Sequence, residues 1–264
     1  MIPKIIHYVW LGDASLTPLA ERCLESWRTM CPDYEIRKWD ESCLDIPADS
    51  YAGQAISAEK WAFASDFIRL YALVEYGGVY LDTDVELVAP LDEYLSKDAF
   101  LGFESPERIS TGLIASKPGF EPMNCLLEEY GSRQFLREDG TFDLTTNVEI
   151  ITEAFCRHGL TTDGRRQKVW GIDVYPSEFF CAKDLVSKKI TATQQTVAIH
   201  HFDGSWLDEE QRRYDALVEK LSCQYPWAPT TAIRGTAVLQ SCWKSGGIKP
   251  FVDKIAKRIG RFER

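Results

Sequence analysis

Two aspartates, Asp82 and Asp84, follow the apolar run Val79-Tyr80-Leu81 and a Gly77-Gly78 step. In an extended segment, residues two apart project to one side, so both carboxylates can face a single cation. Oxygen donors of this kind suit Mg2+ or Mn2+ better than zinc. Side by side the two charges repel, and a cation carrying a diphosphate relieves that repulsion. A D-x-D pattern alone is common. Its place after a buried strand, where an open α/β sheet exposes its ligand crevice, gives it weight.

Upstream, A-S-D-F-I-R puts Asp66 and Arg69 on one face of an otherwise apolar helix. An ordinary ion pair would account for them. Aimed at an acidic metal tip, they are better used to hold sugar hydroxyls and phosphate. Trp10, in I-H-Y-V-W-L-G, offers a flat aromatic face, and A-I-H-H-F-D-G-S-W at 198–206 supplies two adjacent imidazoles. An imidazole beside two carboxylates tilts the choice of ion toward Mn2+.

These groups need elements to position them. Residues 4–10 read as a short buried strand with a loop after it, and 17–30 as a helix with Thr17 as its cap and Pro18 at its first position. E-I-R-K-W after Pro32 is a strand candidate. A helix is expected over 57–76, beginning at Ser57 and ended by Gly77-Gly78, followed by a strand, the acidic tip, a continuation of the strand, and a short helix near 91–95. Further strands are expected near 99–104, 111–116 and 196–202, with helices near 120–131 and 146–158. The alternation predicts an α/β fold: one domain over 1–247, with an open, twisted, mostly parallel sheet flanked by helices. Residues 248–264 carry six Lys or Arg against Asp253 and Glu263, with apolar residues at helical intervals. They read as a basic amphipathic helix, suited either to docking on an anionic bilayer or to packing on its own domain.

At 264 residues, 45% hydrophobic and 27% charged, the chain has the composition of a globular protein with a thick core. A net charge of -10 argues against reading a nucleic-acid backbone, although phosphate can still be held through a metal. The eight cysteines form no C-x-x-C pair, and the apolar N-terminus lacks the basic flank and cleavage site of a secretory leader. Reduced thiols in the cytoplasm are the simplest reading. No run approaches the ~20 apolar residues of a membrane span, so contact with a membrane would be peripheral, at its inner face.

The block A-S-D-F-I-R-L-Y-A-L-V-E-Y-G-G-V-Y-L-D-T-D resembles the signature of family-32 glycosyltransferases, which include yeast Golgi mannosyltransferases and bacterial capsule and lipopolysaccharide enzymes. It is also similar to the corresponding block of the clostridial glucosylating toxins, which share a GT-A, nucleotide-sugar-binding fold. By that resemblance Asp66 and Arg69 contact the donor sugar and its phosphates, while Asp82 and Asp84 serve the ribose and the metal. Trp10 matches a tryptophan that stacks on uracil. His201-Phe202-Asp203-Gly204 aligns with the H-F-x-G of glycogenin-like enzymes, whose histidine reaches the metal, so His201 is taken in preference to His200. Ser205 and Trp206 fall where the toxins touch the β-phosphate or the glycosidic oxygen. Between about 118 and 196 the resemblance fades, and Glu104 with T-T-N-V at 145–148 is assigned to shaping the acceptor pocket.

The resemblance implies a retaining hexosyltransferase that uses Mn2+ or Mg2+. Its donor is a nucleotide-diphosphate sugar, UDP-sugar favoured, and its acceptor a glycan or lipid-linked glycan of capsule or lipopolysaccharide synthesis. The catalytic set is then Asp66, Arg69, Asp84 and Trp206. Two rivals use the same acidic tip: a metal-dependent nucleotidyl- or phosphotransferase, and a non-catalytic sugar-binding protein.

Overall fold

Ile5–Val9 forms β1, its alternate side chains entering the two sides of the core. In this computed structural model the described residues are 1–204 and 209–245. Helix α1, Pro18–Met30, starts as its sequence directs: the Thr17 hydroxyl accepts from the Ala20 amide, and Ala20, Cys23, Leu24 and Trp27 form the buried stripe. Strand β2 is Glu35–Trp39.

The helix expected over 57–76 starts later, at Trp61, and an unexpected short helix precedes it. Helix α2, Tyr51–Ser57, is capped by Ser50, whose side chain accepts from the Gly53 amide. Glu59 then takes a left-handed φ of 54°, and α3 runs from Trp61 to Tyr76. Ser57 therefore closes a helix and does not open one. Gly77 ends α3 with φ 62°, and a Cβ there would lie 2.6 Å from the Pro118 ring, so the step admits only glycine.

The chain continues through β3 (Gly78–Leu81), β4 (Val85–Leu87), a 3-10 turn at Asp92–Tyr94, β5 (Ala99–Ser105) and β6 (Arg108–Ser116). Helix α4 is Glu121–Gly131, and α5 is Asn147–Arg157, opened by a capping box between Thr146 and Glu149. Strands β7 (Gln167–Val169) and β8 (Ile172–Tyr175) and the short α6 (Ser177–Phe180) have no counterpart among the elements expected from sequence. Strand β9 keeps only Ala198–His200 of the expected 196–202.

Among the described residues, seven strands form the main sheet in the order β2-β1-β3-β6-β5-β8-β7. By their pairings β2, β1, β3, β5 and β8 run one way, with β6 and β7 against them, which is the mostly parallel α/β sheet expected. Alternation sorts the core onto both faces. Tyr80, Leu101 and Ile114 pack with α3, α4 and α5, whereas Val79, Leu81, Phe100 and Leu113 pack with α1. The strand after the acidic tip departs from expectation, because β4 leaves the sheet and pairs antiparallel with β9 in a separate ribbon.

These elements lie in one compact unit, Met1–Asp184 with Ile190–Phe202. A second unit takes Leu185–Lys189 and the chain from Asp203 onward. Its α7 (Glu209–Gln224) and α8 (Thr230–Ser245) share a small core of Tyr214, Val218, Leu221, Ile233 and Ala237. Residues 248–264, and with them the basic helix, lie outside the described residues. No helix among the described residues is long and apolar enough to cross a membrane.

Candidate functional site

At the end of β3 the Asp82 amide donates to the Gly112 carbonyl of β6 at 2.8 Å, the last hold on the main sheet. The chain then turns, closed by the Val85 amide donating to the Asp82 carbonyl at 3.0 Å. Asp82 and Asp84 therefore converge through a turn and not through strand alternation, which corrects the geometry expected from sequence. Trp27, fully buried on α1, donates from Nε1 to the Val85 carbonyl at 2.7 Å and fixes the far side of that turn.

The turn faces β9, and the register Val85↔His200 brings the His200 ring to the acids. His200 Nε2 lies 3.2 Å from Asp84 Oδ1 and 4.0 Å from Asp82 Oδ2. One donor atom from each of Asp82, Asp84 and His200 lies within 4.8 Å of the others. Two carboxylate oxygens and an imidazole nitrogen converging in this way fit a divalent cation. His201, chosen from the H-F-x-G alignment, is not part of this cluster: its Nε2 lies 2.7 Å from Glu86 Oε2, and its neighbour His200 is the imidazole beside the aspartates. Neighbours in a strand face opposite sides, so one residue decides which histidine enters the site.

His200 is confined on two further sides. The Phe202 ring stacks on it at 4.2 Å, and Gly112 lies beneath it so closely that a Cβ there would stand 2.8 Å from Nδ1 and 3.3 Å from the Asp82 carboxylate. Burial works against a charged ring, but the attraction of Asp84 and its hydrogen bond outweigh this and hold the His200 pKa well above its ordinary value. A bound cation would take over the role of that proton.

Asp66 and Arg69 are both buried, and Arg69 holds two acids at once. Its Nη2 is 2.9 Å from Asp66 Oδ1, its Nη1 is 3.3 Å from Asp82 Oδ1, and Nη1 also donates to the Thr111 carbonyl at 2.8 Å. Burial raises the Asp66 carboxyl above the usual carboxylate range despite the opposing pull of Arg69. Tyr80 completes the frame, its hydroxyl donating to Asp82 Oδ1 at 2.8 Å beneath the Arg69 guanidinium. Asn147, at the capped start of α5, accepts from the Tyr130 hydroxyl at 3.0 Å and lies beside Asp66, where it favours the ionised form. Burial also pushes Glu104, near the end of β5, up to about 7, with His200 and Arg108 pulling it back.

Trp10 lies on the loop after β1. That strand runs parallel to and beside β3, so Trp10 and Asp82 leave the sheet at the same edge, where α/β folds bind ligands. Its indole N–H donates to the Ala14 carbonyl at 2.7 Å. Ser205 and Trp206 lie outside the described residues. From sequence, His200 is weighed but its neighbour preferred, and Gly112, Tyr80 and Glu86 are missed. Tyr80 was legible as the residue sharing a strand face with Asp82; Gly112, Glu86 and the choice of His200 depend on pairings between distant segments.

Residues 18–101 match a family model described as a glycosyltransferase sugar-binding region containing the DXD motif. The match makes this stretch similar to the sugar-binding region of DXD glycosyltransferases. It spans α3, β3 and the acidic turn, and so contains Asp66, Arg69, Asp82 and Asp84. The similar curated proteins are named as glycosyltransferases. The chain is 30% identical over 125 residues to inositol phosphoceramide mannosyltransferase 3 of Schizosaccharomyces pombe, covering 45% of this chain and 34% of that one. It is 31% identical over 125 residues to a mannosyl phosphorylinositol ceramide synthase of Saccharomyces cerevisiae, covering 45% and 32%. The chain thus spans about a third of the length of these curated relatives. Among solved structures, a glycosyltransferase involved in glycosylation of the major capsid of PBCV-1 is similar with a TM-score of 0.47 at 14% identity, covering 83% of this chain and all of that one. The galactosyltransferase LgtC is similar with a TM-score of 0.44 at 13% identity, covering 85% and 97%.

Proposed function

We propose that the chain is a retaining, metal-dependent glycosyltransferase that moves a hexose from a nucleotide-diphosphate sugar to a glycan or lipid-linked glycan. The observation that carries this reading is the convergence of Asp82, Asp84 and His200, with Arg69 holding Asp82 and both aspartates lying in the stretch that matches the sugar-binding region. Mn2+ or Mg2+ held by those three residues would stabilise the charge that builds on the departing diphosphate. The buried Asp66 carboxyl would meet sugar hydroxyls, and Arg69 holds it and Asp82 in place. Trp10 serves as the base platform at the same sheet edge, and the family resemblance assigns Ser205 and Trp206, which lie outside the described residues, to the β-phosphate or glycosidic oxygen. Retention follows from the family resemblance: reaction on the donor's front face requires no protein nucleophile, and the leaving phosphate takes the acceptor's proton.

Relatives named for mannosyl transfer to inositol phosphoceramide make mannose a candidate sugar beside the UDP-hexoses, and a glycolipid a candidate acceptor. A cytoplasmic enzyme acting at the inner face of a membrane fits a lipid-linked glycan of capsule or lipopolysaccharide type. The test is a screen of UDP-hexoses and GDP-mannose with Mn2+, following free nucleoside diphosphate. Turnover that disappears in Asp84→Ala, with folding intact, is the expected result. Release of pyrophosphate instead would make the chain a nucleotidyltransferase, and no turnover of any donor would leave a sugar-binding protein.

A further inference from the structure

Strands β4 and β9 make a ribbon of three residue pairs, Val85↔His200, Glu86↔Ile199 and Leu87↔Ala198, extended by the His201 amide donating to the Asp84 carbonyl at 2.9 Å. So short a two-stranded ribbon has little stability of its own, and a slip of one residue turns every side chain of a strand to the opposite face. Here the slip has a particular consequence. Because His200 and His201 are adjacent, a shifted β9 still offers an imidazole to the aspartates, so the chemistry of the site does not penalise the wrong register. Backbone bonds from the 179–183 segment hold β9 at Val197 and Ala198, and Lys183 Nζ donates to the His201 carbonyl at 3.0 Å. Backbone bonds tolerate a slipped strand, since every residue presents the same groups. A side-chain bond between particular partners does not.

We infer that the Glu86–His201 pair is a register clamp: by holding His201 on the outer face of the ribbon at 2.7 Å, it commits His200 to the aspartates and sets the affinity of the site for its cation. Glu86 lies diagonally across the ribbon from His201, opposite Ile199, so the contact forms only in the observed register. Glu86 and His201 are positioning residues. Neither belongs to the trio of donor atoms, and the inference rests on the metal-site reading of that trio. Partners that orient a ligating group from behind typically set affinity by ~10- to 100-fold.

The experiment measures Mn2+ binding to the full chain in the presence of UDP, from the loss of the free-ion electron paramagnetic resonance signal. Imidazole ligation is read separately, from nitrogen modulation of the bound ion's spin echo. Glu86→Ala should weaken Mn2+ by ~10- to 100-fold, and Glu86→Gln, which keeps an acceptor for His201, should restore most of the loss. In the otherwise native chain the nitrogen modulation should vanish in His200→Ala and persist in His201→Ala. In the Glu86→Ala background it should survive His200→Ala, because His201 is then free to enter. Glu86→Asp, which keeps the charge but falls short of the contact, replaces Glu86→Ala if that variant does not fold. Native affinity in Glu86→Ala or Glu86→Asp, with modulation still abolished by His200→Ala, overturns the clamp and leaves the metal site standing. Failure of the unaltered chain to bind Mn2+ with UDP overturns the metal site itself, and the clamp with it.

Discussion

The Arg69 guanidinium stands 3.3 Å from the Asp82 carboxylate, bonded on its other side to Asp66, with its side chain only 5% exposed. An arginine so enclosed is a structural counter-ion before it is a ligand for phosphate. It allows a helix and a strand end, each bearing an acid, to meet in a buried place. Arg69→Met should therefore cost about 3–5 kcal/mol, the usual penalty for orphaning a buried charge. Urea unfolding measures it, and a loss below about 1 kcal/mol would show that the acids accommodate themselves without the guanidinium.

Gly112→Ala introduces a methyl where the His200 ring and the Asp82 carboxylate already stand. Overpacking of this kind costs about 1–3 kcal/mol. The larger expected effect is on the cation, because the ring must move. Mn2+ affinity measured by calorimetry should fall at least ~10-fold, and donor turnover should fall with it.

His7 gives the fold a pH dependence far from chemistry. It is fully buried, and its two nitrogens are committed: Nε2 is 2.7 Å from the Gly77 carbonyl, to which it donates, and Nδ1 accepts from Trp39 Nε1 at 3.0 Å. A second proton has no acceptor, and burial lowers the pKa to about 4. The folded protein therefore binds fewer protons than the unfolded chain between about pH 6.5 and 4, so stability falls as pH falls through that window. The loss is on the order of 3 kcal/mol by pH 4. Denaturant midpoints at pH 7 and pH 4.5 should converge in His7→Gln relative to the native chain; equal slopes in both would remove His7 as the cause.

Thr146→Ala removes the capping-box hydroxyl that fixes the first turn of α5, where Asn147 meets Asp66. It should cost about 1 kcal/mol, read as a lower melting temperature.

Much of the fold was written locally. Thr17-Pro18 marked α1, Thr146 with Glu149 marked α5, and Gly77-Gly78 ended α3 where expected, since caps and glycines act through their immediate neighbours. The failures lie where tertiary structure overrides local pattern. The start expected at Ser57 falls at Trp61, because Glu59 is left-handed and Lys60 is non-helical, conformations their side chains do not announce, and α2 was not expected at all. Asp66, Arg69, Asp82 and Asp84 stand together because one helix–turn–strand unit carries them. His200 could not be told from His201, since the choice is made by a pairing with β4 more than a hundred positions away, and an i+1 error is invisible until the register is known. Strands β7 and β8 are too short to imprint a period on the sequence.

The bare backbone of Gly112 leaves no room for even a methyl group beneath the imidazole. A paralogue could keep its complete acidic signature and still be silent through a single small substitution on a strand that no DXD search inspects. Judging whether such a homologue is active therefore begins with this glycine, and only then with its aspartates.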